Sequence, residues 1–314
     1  MMQKADPVRF TTHTQDGVAI SGFEWRCDNR DEAWRRPVVI ICAATAVRCK
    51  YYARFAAYLH RNGFDVLTFD YRGIGESRPA RLRGFAAGWG DWGFFDVESI
   101  LHYASVRFPR QPVYAVGHSI GGFALGLAPS SHMFKHVVTV GAQFAYWRDY
   151  ARELRRRMYL KWHVFMPLLT RSIGYFPGAR LGWLEDVPAH VVRDWSKMGP
   201  RVEKSLSSAV AAARLEQNFA AINAELLAIG LTDDPFGTVA AVERLLGYYR
   251  ASNRTHLRIA PGDVGVEAIG HFAFFHDRFE ASLWPVALHW LQNGSLPDDT
   301  PGTILMSHQK EKHD

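Results

Sequence analysis

Short apolar runs alternate with stretches of helical period along most of the 314-residue chain. Residues 8–12 and 18–24 read as an opening pair of strands, and "VVIICA" from Val38 as an apolar strand. A helix is expected over 50–62, then the strand "DVLTFD" from Asp65 and a helix over 96–108. The strand over 113–116 runs into a further helix, and "HVVTVGA" from His136 supplies another strand. The same alternation returns with "ELLAIGL" from Glu225, the helix "VAAVERLLGYY" from Val239, the strand "THLRIA" from Thr255 and an amphipathic helix over 279–291. Such alternation predicts an α/β fold with a mainly parallel central sheet flanked by helices.

Between 143 and 224 the pattern changes. The segment is rich in Trp, Tyr, Arg and Leu at helical spacing and holds no convincing strand. A stretch of about 80 residues is far too long for a connecting loop, so a helical cap inserted between the sixth and seventh strands is expected. The core then comprises 1–142 and 225–293, and the polar, turn-rich 294–314 reads as a mobile tail.

Composition narrows the class. The opening residues "MMQKADPVRF" lack the apolar centre of a signal peptide, and no apolar run reaches membrane-spanning length, so a cytoplasmic chain without stable membrane insertion is expected. Cys27, Cys42 and Cys49 are too few and too irregular for a disulfide framework or a zinc site, which fits a reducing compartment. Much of the net charge of +6 lies in "RDYARELRRRMYLKWH", residues 148–163, read as a basic amphipathic helix with a solvated face. No zinc finger, basic zipper or aromatic RNA-binding signature accompanies it, so no nucleic-acid partner is expected. Self-association into a homodimer is left open.

The chemistry is carried by "VYAVGHSIGG". Gly117, His118, Ser119, Ile120 and Gly121 make a G-x-S-x-G, with an apolar strand before it and a helix-prone run after it. A serine on such a turn sits in a strained backbone, and its neighbours must be small so that the chain can pass close by. A neutral serine is a poor nucleophile and needs a base, which in turn needs an orienting carboxylate. In this kind of site the order along the chain is serine, acid, histidine. Asp233 and Asp234 follow the strand from Glu225, and His271 lies on the loop after the strand from Thr255. The register before Pro235 favours Asp234, with Asp233 as the alternative; His276, at the start of the last helix, reads as a surface or capping residue. The oxyanion donors are expected to be the N–H of Ile120 and one from the loop after "VVIICA", where Ala43, Ala44 and Thr45 are small enough to let the backbone approach a substrate and Ala44 is the first choice. Thr45, His118, Gln143 and Trp147 are expected to contact substrate.

With these residues in place, the chain resembles the α/β hydrolase superfamily over almost its whole length. "TFDYRGIGESRP", "VGHSIGG", "TDDPFG" and "AIGHFAFFHDRFEASLWPVALHWL" are similar to a bacterial group of predicted hydrolases related to the serine aminopeptidase and monoacylglycerol lipase-like branch. The resemblance implies a triad of Ser119, Asp234 and His271, with "CAATA" as the oxyanion loop. Cys42 and Ala43 depart from the His-Gly that many members carry there.

"RGIGES" lacks the third glycine of a dinucleotide loop, no Walker lysine follows Gly121, and no H-E-x-x-H appears, so neither cofactor nor metal is expected. The leading expectation is a serine hydrolase cleaving a small-molecule acyl ester through an acyl-enzyme, its substrate lined by aromatic and apolar side chains from among Phe144, Tyr146, Trp147, Trp162, Phe165 and Met166. Acyl transfer or thioester hydrolysis would use the same triad, with Arg155 and Arg156 meeting an anionic substrate. A non-catalytic ligand-binding protein on the same fold is the remaining alternative.

Overall fold

A computed structural model describes residues 6–27 and 36–308. Nine strands form one sheet: β1 (Val8–His13), β2 (Ala19–Trp25), β3 (Val38–Cys42), β4 (Asp65–Phe69), β5 (Val113–His118), β6 (Phe134–Val140), β9 (Glu225–Leu231), β10 (Asn253–Ile259) and β11 (Thr303–His308). Their order across the sheet is β1-β2-β4-β3-β5-β6-β9-β10-β11. The six strands from β4 to β10 run parallel, while β1, β2 and β11 are antiparallel additions at the edges. Every residue of β3 and β4 is buried, which explains their lack of polar alternation: helices cover both faces of a parallel sheet.

The helices packed on this sheet are α1 (Ala53–Arg61), α2 (Glu98–Arg107), α3 (Ile120–Ala124), α8 (Val239–Leu246) and α9 (Trp284–Asn293). β4 lies on one side of β3 and β5 on the other, so the chain reverses direction across the sheet there. Loops at the carboxyl ends of strands flanking such a reversal border a crevice suited to ligands. Here they are the Ala43–Val47 stretch and Ser119.

Between β6 and β9 the chain leaves the sheet. It forms α4 (Arg155–Tyr159), a wide helical stretch over Leu160–Phe165, α5 (Met166–Ile173), α6 (Ala189–Lys197) and α7 (Ala209–Ala220). A two-residue ribbon of β7 (Tyr175–Phe176) and β8 (Val187–Pro188) lies among them, a strand pair too short to leave a sequence pattern. Gly174, at φ +91°, ends α5 with a left-handed turn. The basic helix starts at Arg155 rather than at 148. Its expected first turns are tied to the core instead: the Ala151 N–H donates to the Pro235 carbonyl at 2.9 Å, and Arg244 donates to Asp149 at 3.0 Å.

The segment is fastened to the core by buried polar contacts as well. Asp194 accepts from the Trp89 N–H of the core at 2.8 Å and from the Ser207 N–H within the segment at 2.7 Å, and the part-buried Arg78 pairs with Asp186 at 2.8 Å.

The expected mobile tail is corrected in part. Residues 303–308 add strand β11 to the free edge of β10, and the last six residues of the chain lie outside those described. The strand was hidden because it pairs on one side only and is exposed almost throughout, so burial imposes no apolar pattern on it. No described helix is long and apolar enough to cross a membrane.

Candidate active site

β5 delivers Ser119 directly from its carboxyl end. Ser119 holds φ +54° and ψ −120°, a conformation that costs a residue with a side chain about 1–3 kcal/mol. Its N–H donates to the Val140 carbonyl at 2.9 Å, which ties the turn to β6. Sterics explain the flanking glycines. A Cβ on Gly121 would stand 2.1 Å from the Cys42 carbonyl oxygen, and one on Gly117 would stand 2.6 Å from the Gly122 backbone. Ile120 opens α3, so its N–H has no preceding turn to bond and is left for another acceptor.

The turn after β9 places two carboxylates with different partners. Asp234 Oδ2 lies 2.7 Å from His271 Nδ1, and its Oδ1 accepts from the Phe236 N–H at 2.8 Å. Asp233 instead accepts from the N–H groups of Ile269 and Gly270, each at 2.8 Å, and so pins the loop that carries His271. Burial opposes ionisation of Asp234, but the charge interaction and hydrogen bond with His271, joined by the Gly237 and Phe236 amides, hold its carboxyl below the ordinary value. Room for this carboxylate is made by glycine: a Cβ on Gly141 or Gly237 would come within 2.7 or 2.5 Å of Oδ2. An ionised carboxylate only accepts, so Nδ1 of His271 carries the proton and Nε2 is left as the basic nitrogen. The rings of Phe236 and Phe272 pack at 5.0 and 4.9 Å from this imidazole and limit its tilt.

Ser119, Ile120, Gln143 and His271 border one cavity of about 440 Å³. Gln143 is buried, and its Oε1 accepts the Ala145 N–H, which fixes the amide orientation. Nε2 therefore faces Ser119 and donates to its Oγ at 3.4 Å. Among the described residues no hydrogen bond joins Ser119 Oγ to His271, although both border the same space.

Two expected site residues, His118 and Trp147, lie outside the cavity lining, while Ala44 borders the cavity with its amide already committed. The Ala44 N–H is already engaged, donating to Tyr52 Oη at 2.9 Å. That leaves the Tyr52 proton for His118 Nδ1, 2.7 Å away, and His118 Nε2 donates to the His271 carbonyl at 2.8 Å. His118 is thus fully buried in a chain of bonds and does not border the cavity. Burial, followed by the neighbouring His271, pushes its pKa down to about 3, so the ring is neutral. Trp147 packs at a tilt against Tyr159, with centroids 4.8 Å apart, and also lies outside the cavity lining. Thr45 does line it, and its hydroxyl accepts from Trp89 Nε1 at 3.1 Å.

The aromatic lining differs from the expected set. Of the six residues considered, Trp162 borders the cavity; Phe144, Tyr146, Trp147 and Met166 pack into or against the core, and Phe165 is exposed, its ring 5.8 Å from that of Trp183. Trp89, Trp183, Trp195, Phe236 and Phe272 complete the lining. Phe236 and Phe272 could have been found, since each sits within two residues of a candidate triad member. The tryptophans gave no comparable signal. Among the described residues no group of three His, Cys, Asp or Glu side chains is arranged to hold a metal ion.

A parallel sheet with a strained serine at the carboxyl end of its central strand, and an acid-histidine pair beside it, defines an α/β hydrolase. The sequence profile of the serine aminopeptidase, S33 family (Hydrolase_4) matches residues 34–262, and the chain belongs to that family. Among solved structures the fold is similar to a soluble variant of monoglyceride lipase from Saccharomyces cerevisiae in complex with a substrate analogue. That likeness has a TM-score of 0.65 at 16% identity, over 95% of this chain and 98% of the other. An esterase from Pyrococcus furiosus is similar at a TM-score of 0.56 and 12% identity, over 91% and 90% of the two chains. At such identities the likeness is one of fold. No curated protein matches the sequence.

Proposed function

We propose that the protein is a serine hydrolase that cleaves a carboxylic ester of a hydrophobic acyl or aromatic group through an acyl-enzyme. The observation that carries this reading is the 2.7 Å Asp234–His271 bond beside a strained Ser119 on the same cavity. Substrate binding turns the Ser119 hydroxyl from Gln143 toward His271 Nε2, which takes the proton as Oγ attacks the acyl carbon. Asp234 holds the imidazole in the required tautomer and stabilises the imidazolium. The Ile120 N–H receives the oxyanion, and the Thr45 backbone N–H replaces that of Ala44 as second donor. His271 then protonates the departing alcohol, and water, activated by the same nitrogen, releases the acid.

An ester fits the cavity better than the N-terminal peptide bond of an aminopeptidase substrate. A free α-ammonium needs a carboxylate partner, and among the described residues no Asp or Glu lines the space. The 143–224 segment supplies more than half of the lining, and in this reading it is the cap that shields the acyl-enzyme from bulk water.

A panel of p-nitrophenyl esters of rising chain length tests the proposal. Turnover by the native protein that peaks at one length, and falls at least a thousandfold in Ser119→Ala, is expected. Equal hydrolysis by both proteins would refute it.

A further inference from the structure

We infer that the cavity takes a ligand with an apolar body and an anionic head, a carboxylate or phosphate, and that Arg157 and Lys161 receive the head. The inference names a substrate class for the hydrolase proposed above, but the binding step it describes does not depend on turnover.

The body of the cavity is apolar and aromatic. Trp89, Trp162 and Trp195 are buried in its wall, with Met158 beside them. Among the described residues, and His271 apart, the formal charges that the lining brings to it are two cations. Arg157 and Lys161 stand four residues apart on the continuous helical run from Arg155 to Phe165, so they share a face. Like charges at that spacing destabilise a helix unless something compensates. Among the described residues no carboxylate forms an ion pair with either.

Lys161 is also held in place. Its Nζ lies 4.0 Å from the Trp183 ring centroid and 4.4 Å from that of Trp162, so the ammonium rests against two rings of the lining instead of trailing into water. Burial, and after it the like charge of Arg157, pull its pKa below the ordinary value. An anion between the two groups would relieve both strains at once.

Neighbouring cations are otherwise employed or lie outside the lining. Arg155 donates to the Tyr150 carbonyl at 3.3 Å, Arg148 lies over Trp147, and Arg156 is exposed outside the lining. The expectation that Arg155 and Arg156 meet an anionic substrate is therefore moved to Arg157 and Lys161.

Isothermal titration of the native protein with decanoate, decyl phosphate and decanol, all below micellar concentration, tests the assignment. At least one anion is expected to bind tenfold or more tightly than decanol, and which anion gains more identifies the head. That preference should fall below threefold in Arg157→Gln/Lys161→Gln and persist in Arg156→Gln. In the native protein it should also shrink between 0.05 and 0.5 M salt, a check that stands even if the double variant fails to fold. Equal affinity for decanol and both anions, or a preference that survives the double substitution, would overturn the inference. None of the three ligands has a scissile bond, so this failure is separate from loss of esterase activity in the panel above.

Discussion

Tyr52 donates its phenolic proton to His118 Nδ1 across 2.7 Å, and by that one bond the loop after β3 is coupled to the backbone of His271. The direction of the bond follows from its neighbours. The Ala44 N–H donates into Tyr52 Oη, so the hydroxyl proton points to the imidazole, whose other nitrogen donates to the His271 carbonyl. The chain holds the proposed base from behind while Asp234 holds it from the side.

Tyr52→Phe removes the central link. It leaves a buried imidazole nitrogen and the Ala44 N–H without a partner, which costs about 1–3 kcal/mol for each unsatisfied group. The expected outcome is a lower melting temperature together with a fall in kcat of about tenfold, equivalent to about 1.4 kcal/mol of barrier, at nearly constant KM. A kcat equal to that of the native protein would show that the chain does not position His271.

His118 makes stability depend on pH. Its native pKa is depressed to about 3, against an ordinary value of 6.5. The unfolded chain therefore takes up a proton first as pH falls. The stability contributed by the neutral ring is complete above the unfolded value and is lost progressively from pH 6.5 down toward 3. The slope is about 1.4 kcal/mol per pH unit, or about 2 kcal/mol between pH 6.5 and 5. In denaturant titrations at the two pH values, His118→Gln should narrow the gap by about that amount. An unchanged gap would assign the acid sensitivity to other groups.

The two carboxylates after β9 should separate in kinetics. Asp234→Asn removes the charge that fixes the His271 tautomer and is expected to lower kcat by about 10³–10⁴. Asp233→Asn disturbs only the loop amides of Ile269 and Gly270, and a loss below about tenfold is expected. The reverse order would exchange their roles.

Glycine substitutions test the packing of the elbow. Gly121→Ala places a methyl 2.1 Å from the Cys42 carbonyl and should cost several kcal/mol or prevent folding. Gly262→Ala meets nothing within 4 Å and leaves a normal backbone, so its melting temperature should match that of the native protein.

What the sequence disclosed follows the same physics. Gly117 and Gly121 mark the elbow because close backbone approach admits no side chain, and that requirement is local. The parallel strands are legible because β3 is apolar without interruption and β4 is rich in Val, Leu and Phe. Tyr52 is not legible as a site residue: its partner lies 66 positions away, and only the fold brings them together. The choice between Trp147 and Trp183 as a cavity residue is equally hidden, since helical spacing does not reveal which aromatic faces an internal space. β11 escaped because an exposed edge strand needs no apolar face.

The central claim is that Ser119 is a nucleophile activated by His271. Intact-mass measurement after treatment with a fluorophosphonate, followed by peptide mapping, tests it most directly. A single adduct on Ser119, absent in Ser119→Ala and strongly slowed in His271→Ala, is the predicted result. An unmodified native protein, or an adduct on another residue, would contradict the account.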